Sequence, residues 1–219
     1  MIETGADLGI AHDGDADRCL AIDHEGNVVD GDFIMAILAA DWQSRGLLTH
    51  ETVVGTVMSN LGFFKAMENL DINVEITAVG DRYVLEKMLA DGFVLGGEQS
   101  GHIIMRHYAN TGDGLLTALH LMQAVKSSGK SLAELAQIME RFPQELINVK
   151  GVAKEKLATS TTLREAISAK EKELGSAGRI LVRASGTESL VRVMVEAQSA
   201  SIAKQMAEEL ALLVRSELS

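Results

Sequence analysis

Apolar residues come in short runs at the start of the chain and at helical spacing after it. GADLGIA (5–11) and RCLAID (18–23) read as strands on either side of a polar loop, and HisGluGly at 24–26 reads as a hairpin turn into NVVD. From Asp32 the period changes. Asp32 is placed to cap a helix ending near Gly46, with Phe33, Ile34, Ile37, Leu38 and Trp42 on its apolar face. TVVGTV (52–57) reads as a buried strand, 61–70 as a helix and NVEITAV (73–79) as a strand. Asp81 is placed to cap a helix carrying Val84, Leu85, Met88 and Leu89, which Gly92 ends, and FVLGG is strand-like again. Asp113 is placed to cap a long helix to about Ser127, and Ser131 with Glu134 forms a capping box for SLAELAQIMER. Strands alternating with helices predict an α/β layer with a largely parallel sheet.

Pro143, the only proline, follows a helix and precedes strand-like ELINVKG, which sets a boundary there. Beyond it the pattern reads strand, helix, strand, loop, strand, helix, an α+β module. Thr162 and Glu165 are placed to box its first helix. RILVRA and LVRVMVEA are its later strands, and Ile202, Met206, Leu210, Leu213 and Val214 give the last helix an apolar face.

Composition narrows the function. The 219 residues carry a net charge of −11, which argues against nucleic-acid binding, since that needs a basic face. No run reaches the roughly 20 apolar residues that span a bilayer. The first eleven residues lack the basic stretch of a signal peptide. Cys19 is the only cysteine, so no intrachain disulfide forms, and a reducing, cytoplasmic setting is expected. Beside Leu20 it reads as a packed small residue rather than a nucleophile.

Three stretches hold candidate chemistry. In IAHDGDADRCLAID (10–23), Asp13, Asp15 and Asp17 stand at every second position and Arg18 follows. Like charges this close repel unless a cation lies among them. Carboxylate oxygens suit a hard ion such as Mg²⁺ or Ca²⁺. An EF-hand fails, because Arg18 and His24 stand where its glycine and glutamate belong. A solvated acidic turn is the plainer alternative. His12 sits beside the loop as support or as a packed ring. In GGEQSGH (96–102), glycines free the backbone while Glu98, Gln99, Ser100 and His102 offer acceptors, donors and a proton carrier, a mix that suits a polyhydroxylated ligand or a plain strand-end turn. In RASGTES (183–189), the amides around Ser185, Gly186 and Thr187 can form an anion nest. Arg183 offers a fork for phosphate, with Arg192 as a second cation. A hairpin turn with two surface arginines is the alternative there. P-loop and Rossmann glycine patterns are absent. His107 and Tyr108 lie in a loop, as a lid or as surface.

DGDADR, a GE-x-S-G-H loop and an R-x-S-G-T-E loop, in that order, resemble the α-D-phosphohexomutase superfamily from about Ala6 to the end of the chain. Gln99 and AVGDRYVLE (78–86) resemble the branch that acts on glucosamine phosphates, in bacteria for the UDP-N-acetylglucosamine of cell walls; phosphomannomutase/phosphoglucomutase relatives more often carry methionine at the position of Gln99. The resemblance implies a mixed α/β phosphohexomutase-type domain followed by a smaller α+β C-terminal domain. It implies that Asp13, Asp15 and Asp17 bind Mg²⁺ and that Arg18 lies near an active phosphoserine. Glu98 and Ser100 would hold sugar hydroxyls, and His102 would sit near the reacting hydroxyl. Arg183, Ser185, Gly186 and Thr187 would grip the phosphate that is not being transferred. The implied activity is an isomerase reaction on a phosphorylated hexosamine, run through a bisphosphate that turns end over end.

One departure stands out. The superfamily's catalytic serine lies in an S-A-S-H-N or T-A-S-H-N loop, and no such sequence occurs here; Ser59-Asn60 follows the metal loop and lacks the histidine. The chain is therefore expected to be a C-terminal half, inactive alone, whose partners are the missing N-terminal domains. Residues 1–31 would be a remnant of domain two, 32–142 domain three and 143–219 domain four. Self-association into a homo-oligomer through apolar surface near residues 5–22 is a further expectation. Two readings compete: a free-standing sugar-phosphate binding module, and a Mg²⁺ phosphatase with one aspartate as nucleophile.

Overall fold

The computed structural model describes residues 2–186 and 188–219. The chain forms two compact units. The first ends at Glu140, and the second runs from Arg141 to Ser219.

The first unit opens with a three-stranded antiparallel sheet, β1 (Leu8–Ala11), β2 (Leu20–Asp23) and β3 (Val28–Val29), in sequence order. Asp23 closes the β2–β3 turn. Its carboxylate accepts from the backbone N–H groups of Glu25 and Asn27, both at 2.9 Å, and from the Asn27 side chain at 3.0 Å. Burial alone would raise this carboxyl. The hydrogen bonds from Asn27, Glu25 and Gly26 outweigh it and hold Asp23 below the usual carboxylate range.

Helix α1 (Gly31–Ser44) follows at once, and Asp30 rather than Asp32 caps it, accepting from Asp32 N and Phe33 N. Asp32 is instead buried inside the first turn and accepts from Asn60 N at 2.7 Å, tying α1 to the loop after β4. The expected apolar face is wider than a stripe: Met35, Ala36 and Ala39 are buried along with Ile34, Ile37, Leu38 and Trp42. The helix runs through the core rather than over it.

A second sheet has the order β5–β4–β6–β7. It comprises β4 (Thr52–Thr56), β5 (Asn73–Thr77), β6 (Leu95–Gly97) and β7 (Ile103–Met105). β5 and β6 are parallel to β4, and β7 is antiparallel to β6. Strand β7 has no counterpart in the sequence pattern, because three apolar residues after a glycine-rich loop are too short a run to read as a strand. Helices α2 (Leu61–Asn69), α3 (Asp81–Asp91), α4 (Gly114–Ser128) and α5 (Leu132–Ala136) complete the unit. Gly80 precedes α3 without a side-chain cap, so Asp81 is its first helical residue and not its cap; Leu89, expected on its apolar face, is exposed. Asp113 caps α4, and Ser131 with Glu134 forms the expected capping box on α5. Cys19, Ala21 and Val29 of the hairpin share one core with α1, α4 and the second sheet.

The second unit is a three-stranded antiparallel sheet of order β8–β10–β9, with β8 (Gln144–Lys150), β9 (Gly178–Ala184) and β10 (Leu190–Ala197). Helices α6 (Thr161–Leu174) and α7 (Ala200–Glu217) belong to the same unit, and α7 contacts β8 and β10. Ser160, not Thr162, caps α6 by accepting from Leu163 N. Met206, Leu210 and Val214 of α7 are buried, whereas Ile202 is exposed. Among the described residues no helix is long and apolar enough to cross a membrane.

Candidate active site

The aspartate loop joins β1 to β2, so a rigid pair of strands fixes both its ends. One carboxylate oxygen from each of Asp13, Asp15 and Asp17 lies within 4.8 Å of the others. The convergence has a conformational cause. Ala16 takes a left-handed φ of 58°, unusual for a residue with a Cβ, and folds the chain back so that its N–H reaches Asp13 O at 3.3 Å. Gly114, the first residue of α4, donates its N–H to Ala16 O at 2.9 Å. A Cβ at Gly114 would collide with Arg18 O, so the helix start braces the loop from below. His12 adds a tether, its Nδ1 lying 2.8 Å from Arg18 O, an arrangement in which Nδ1 carries the proton.

Charges around the triplet are arranged without closing it. Arg18 Nε lies 3.5 Å from Asp13 Oδ2 and 3.7 Å from Asp17 Oδ1. His102 Nε2 lies 3.6 Å from Asp17 Oδ2. Asp17 Oδ1 is buried and has no hydrogen-bond partner among the described residues. The Arg18 charge at 3.7 Å offsets part of the cost of burying that oxygen, and a bound cation would offset the rest. The all-oxygen donor set fits a hard divalent ion. Gly14 has open space where a side chain would stand, which leaves room for something to approach the triplet.

The 97–102 loop connects β6 to β7 and is held against the aspartate loop by backbone. Cys19 N donates to Gly101 O at 3.0 Å, Gly31 N donates to Gln99 O at 3.1 Å, and Arg18 pairs with His102 in an isolated antiparallel bridge. Gly101 has φ +93°, and a Cβ there would collide with Cys19 O; one at Gly31 would collide with Glu98 O, and one at Gly112 with the His102 ring. These glycines let three segments meet at backbone distance.

His102 is 5% exposed, and its Nδ1 has no partner among the described residues, so its ring is held by packing and faces Asp17. Glu98 accepts from Gly80 N at 3.0 Å through Oε1, which orients the carboxylate. Ser100 is exposed at the loop tip. Cys19 is fully buried, and burial pushes its thiol up to about 11, so it is packing and not a nucleophile. His107 and Tyr108 are exposed, in keeping with the surface alternative, and are tethered there: His107 Nε2 lies 3.1 Å from Leu47 O, and both rings lie beside Trp42.

In the second unit, the turn between β9 and β10 carries the remaining candidates. Arg183 and Arg192 are direct partners across the two strands. Like charges directly opposite destabilise a sheet. Burial, and secondly the charge of Arg192, push the Arg183 guanidinium below its ordinary value. Glu188 balances one of them, accepting from Arg192 Nη2 at 2.8 Å. An anion is the natural complement to the pair. Ser185 is 3% exposed; its N–H donates to Leu190 O at 2.9 Å, and its Oγ accepts from Glu188 N at 3.2 Å. Its hydroxyl therefore builds the turn. Gly186 stands in open space, and Thr187 lies outside the described residues.

The glycines at 31, 112 and 114 escaped sequence reasoning, because only the fold shows which segments approach them. Comparison with known proteins agrees with the geometry. The family "Phosphoglucomutase/phosphomannomutase, alpha/beta/alpha domain III" matches residues 30–142, and the "C-terminal domain" of the same family matches 146–213. The chain is 56% identical over 218 residues to a phosphoglucosamine mutase of Frankia alni and 58% identical over 218 residues to one of Streptomyces griseus. Each alignment covers 100% of this chain and 48% of the relative, so the chain spans about half the length of the curated relatives it matches. Among solved structures, an Aspergillus fumigatus N-acetylphosphoglucosamine mutase in complex with GlcNAc-6P and magnesium shares the fold. Its TM-score is 0.80 at 24% identity, covering 97% of this chain and 49% of that one. A putative phosphomannomutase from Thermus thermophilus aligns with a TM-score of 0.66 at 25% identity, covering 95% of this chain and 46% of that one. The chain belongs to the phosphoglucomutase/phosphomannomutase family of α-D-phosphohexomutases, and along its whole length it is similar to the C-terminal half of bacterial phosphoglucosamine mutases.

Proposed function

We propose that this chain is the C-terminal portion of a phosphoglucosamine mutase, an isomerase that interconverts glucosamine 6-phosphate and glucosamine 1-phosphate in the bacterial cytoplasm. One observation carries the reading: three carboxylates converge beside Arg18 and His102 on a braced loop, and buried Asp17 Oδ1 accepts no hydrogen bond from the described residues, with only the Arg18 ion pair at 3.7 Å beside it. Asp13, Asp15 and Asp17 would hold Mg²⁺, which would supply charge neutralisation for a transferring phosphoryl group. Residues 1–31, 32–142 and 143–219 would correspond to the end of domain two, domain three and domain four.

The chain's own groups have separable roles in this reading. Arg18 offers donors at the edge of the triplet, where negative charge on a phosphoryl group would lie. Glu98, already oriented by Gly80, leaves its other oxygen to accept from a sugar hydroxyl, and exposed Ser100 adds a donor and an acceptor. His102, held rigidly at the triplet, can take a proton from the hydroxyl that accepts phosphate and return it in the reverse direction. Arg183, Gly186 and Thr187 would grip the spectator phosphate on a turn that Ser185 builds. The phosphoryl-donating serine lies in no segment of this sequence, so the partner is the N-terminal portion that the longer relatives carry. Nucleic acid and membrane are not partners in this account.

The test is a fusion of the preceding half of the Streptomyces griseus relative to this chain. The account predicts conversion of glucosamine 6-phosphate to the 1-phosphate, abolished by Asp17→Asn. A folded fusion that instead turns over mannose or glucose phosphates would move the chain to a different phosphohexomutase specificity, and one that only releases phosphate would make it a phosphatase.

A further inference from the structure

Lys154 has no place in the reading above, yet it makes two short contacts with the β9–β10 turn. It lies in a single helical turn, Lys154–Lys156, that follows β8 and is anchored by Ala153 N donating to Leu218 O at 2.7 Å. From there its half-buried side chain reaches across 31 residues of sequence. Nζ donates to Ser185 O at 2.7 Å and to Glu188 O at 2.9 Å. These two carbonyls bracket Gly186 and Thr187.

Peptide planarity makes this contact directional. In a trans peptide, the C=O of one residue and the N–H of the next point in opposite directions. Ser185 O and Glu188 O both face the ammonium. The N–H groups of Gly186 and Ser189 must therefore face away from it. A Cβ at Gly186 would meet nothing within 4 Å, so this flank of the turn is open. Amides that face away from the ammonium, on a turn with an open flank, suit an anion. Behind them sits an ammonium whose charge opposes the build-up of negative potential, and beside them stands the Arg183–Arg192 pair.

We propose that Lys154 is a positioning residue for the phosphate site: it clamps two carbonyls so that the Gly186 and Ser189 amides are presented to a phosphate monoester. The inference rests on the phosphate-loop reading under Proposed function. Lys154 touches backbone, not ligand, and its specificity is for the anionic group rather than the sugar. A purely structural clasp would tie the same turn down, and its variants would lose binding only together with thermal stability.

Amide NMR on the full chain separates these cases, with glucosamine 6-phosphate as probe and glucosamine as the uncharged-group control. In the unaltered chain the phosphate ester shifts the Gly186 and Ser189 amide resonances and glucosamine does not. Lys154→Met weakens the response to the ester about tenfold or more while the thermal midpoint moves little. Lys154→Arg, whose guanidinium can also span two carbonyls, stays within about threefold of the unaltered chain. Should Lys154→Met bind the ester as tightly as the unaltered chain, the clamp has no role in binding and the proposal falls. Equal loss in the methionine and arginine variants, with a lowered thermal midpoint in both, would mark a structural clasp and also overturns it. If the ester shifts neither amide in the unaltered chain, the phosphate-loop reading itself fails, and the clamp fails with it.

Discussion

The two units hold their candidate chemistry on different principles. In the first unit, the aspartate loop and the 97–102 loop meet backbone to backbone. Gly31, Gly101, Gly112 and Gly114 sit where any side chain would collide with a neighbour, and the amides and carbonyls of Cys19, Gln99 and Ala16 complete the seam. In the second unit, the β9–β10 turn has free space at Gly186 and is shaped by side-chain charge: Lys154 behind it, Arg183 and Arg192 along its stem, Glu188 between. The difference follows from the task each would have. A site that holds a cation and a reacting hydroxyl needs atoms fixed to fractions of an ångström, and packed backbone supplies that. A site that holds a spectator phosphate in either sugar orientation needs a concentrated positive field and tolerates looser geometry.

Replacing one loop glycine in each unit gives the sharpest contrast. Gly101→Ala puts a Cβ into Cys19 O at a left-handed backbone position and should cost about 3 kcal/mol or more. Gly186→Ala meets no neighbour and should stay within about 0.5 kcal/mol. Chemical denaturation of the two variants measures both. Similar costs would erase the distinction between the loops.

A smaller effect is expected at Asp23, which holds the β2–β3 turn on the far side of the aspartate loop. Asp23→Ala removes the acceptor of the hydrogen bonds that shape an otherwise exposed turn and should cost about 1 kcal/mol. The pH dependence has a defined sign. Because the folded carboxyl titrates below its unfolded value, its stabilisation is complete above the unfolded value of about 4 and fades as pH falls through the folded one. The variant's stability curve should therefore be flatter than the unaltered chain's below about pH 4.

His120 gives a third test, at a cluster away from either loop. It packs 4.6 Å from the Tyr108 ring and 6.0 Å from Trp42, measured between centroids. Burial, and then the nearby Arg45, hold its imidazole below the ordinary value. A depressed histidine favours the folded state at high pH, and that advantage is lost as pH falls below the unfolded value near 6.5. Trp42 is the only tryptophan, so its fluorescence should report a lower thermal midpoint at pH 5.5 than at pH 7.5, and His120→Phe should reduce the difference. The smallest change is expected from Arg192→Leu. Removing one of two facing like charges should shift stability by no more than about 0.5 kcal/mol while weakening binding of the phosphate ester.

Legibility in the sequence followed the range of the interactions. The capping box at Ser131 and the Asp113 cap were readable because every partner lies within four residues. The cap of α1 lies two residues before the one the sequence pattern suggests, because Asp30 and Asp32 both suit a cap and only the fold shows Asp32 committed to Asn60 N. At α6 the nearer Ser160 took the role expected of Thr162 for a similar reason. Strand β7 depends on its pairing with β6, which no local pattern announces. Among the candidate residues, the aspartate triplet was visible as a spacing. The closeness of His102 to Asp17, 85 positions apart in sequence, was not. Nor was Lys154, an ordinary surface-type lysine in the sequence whose role rests on where two distant carbonyls point.

On the proposed reading, this chain would carry the cation, sugar and phosphate sites of a mutase without the group that donates the phosphoryl. The most direct measurement incubates the 219-residue chain with glucosamine 6-phosphate, glucosamine 1,6-bisphosphate and Mg²⁺, following both glucosamine 1-phosphate and free phosphate, with an active full-length relative in parallel. The account predicts no formation of either product by the chain while the relative turns over. Formation of glucosamine 1-phosphate by the chain alone would contradict it, because a phosphoryl donor would then lie within these residues.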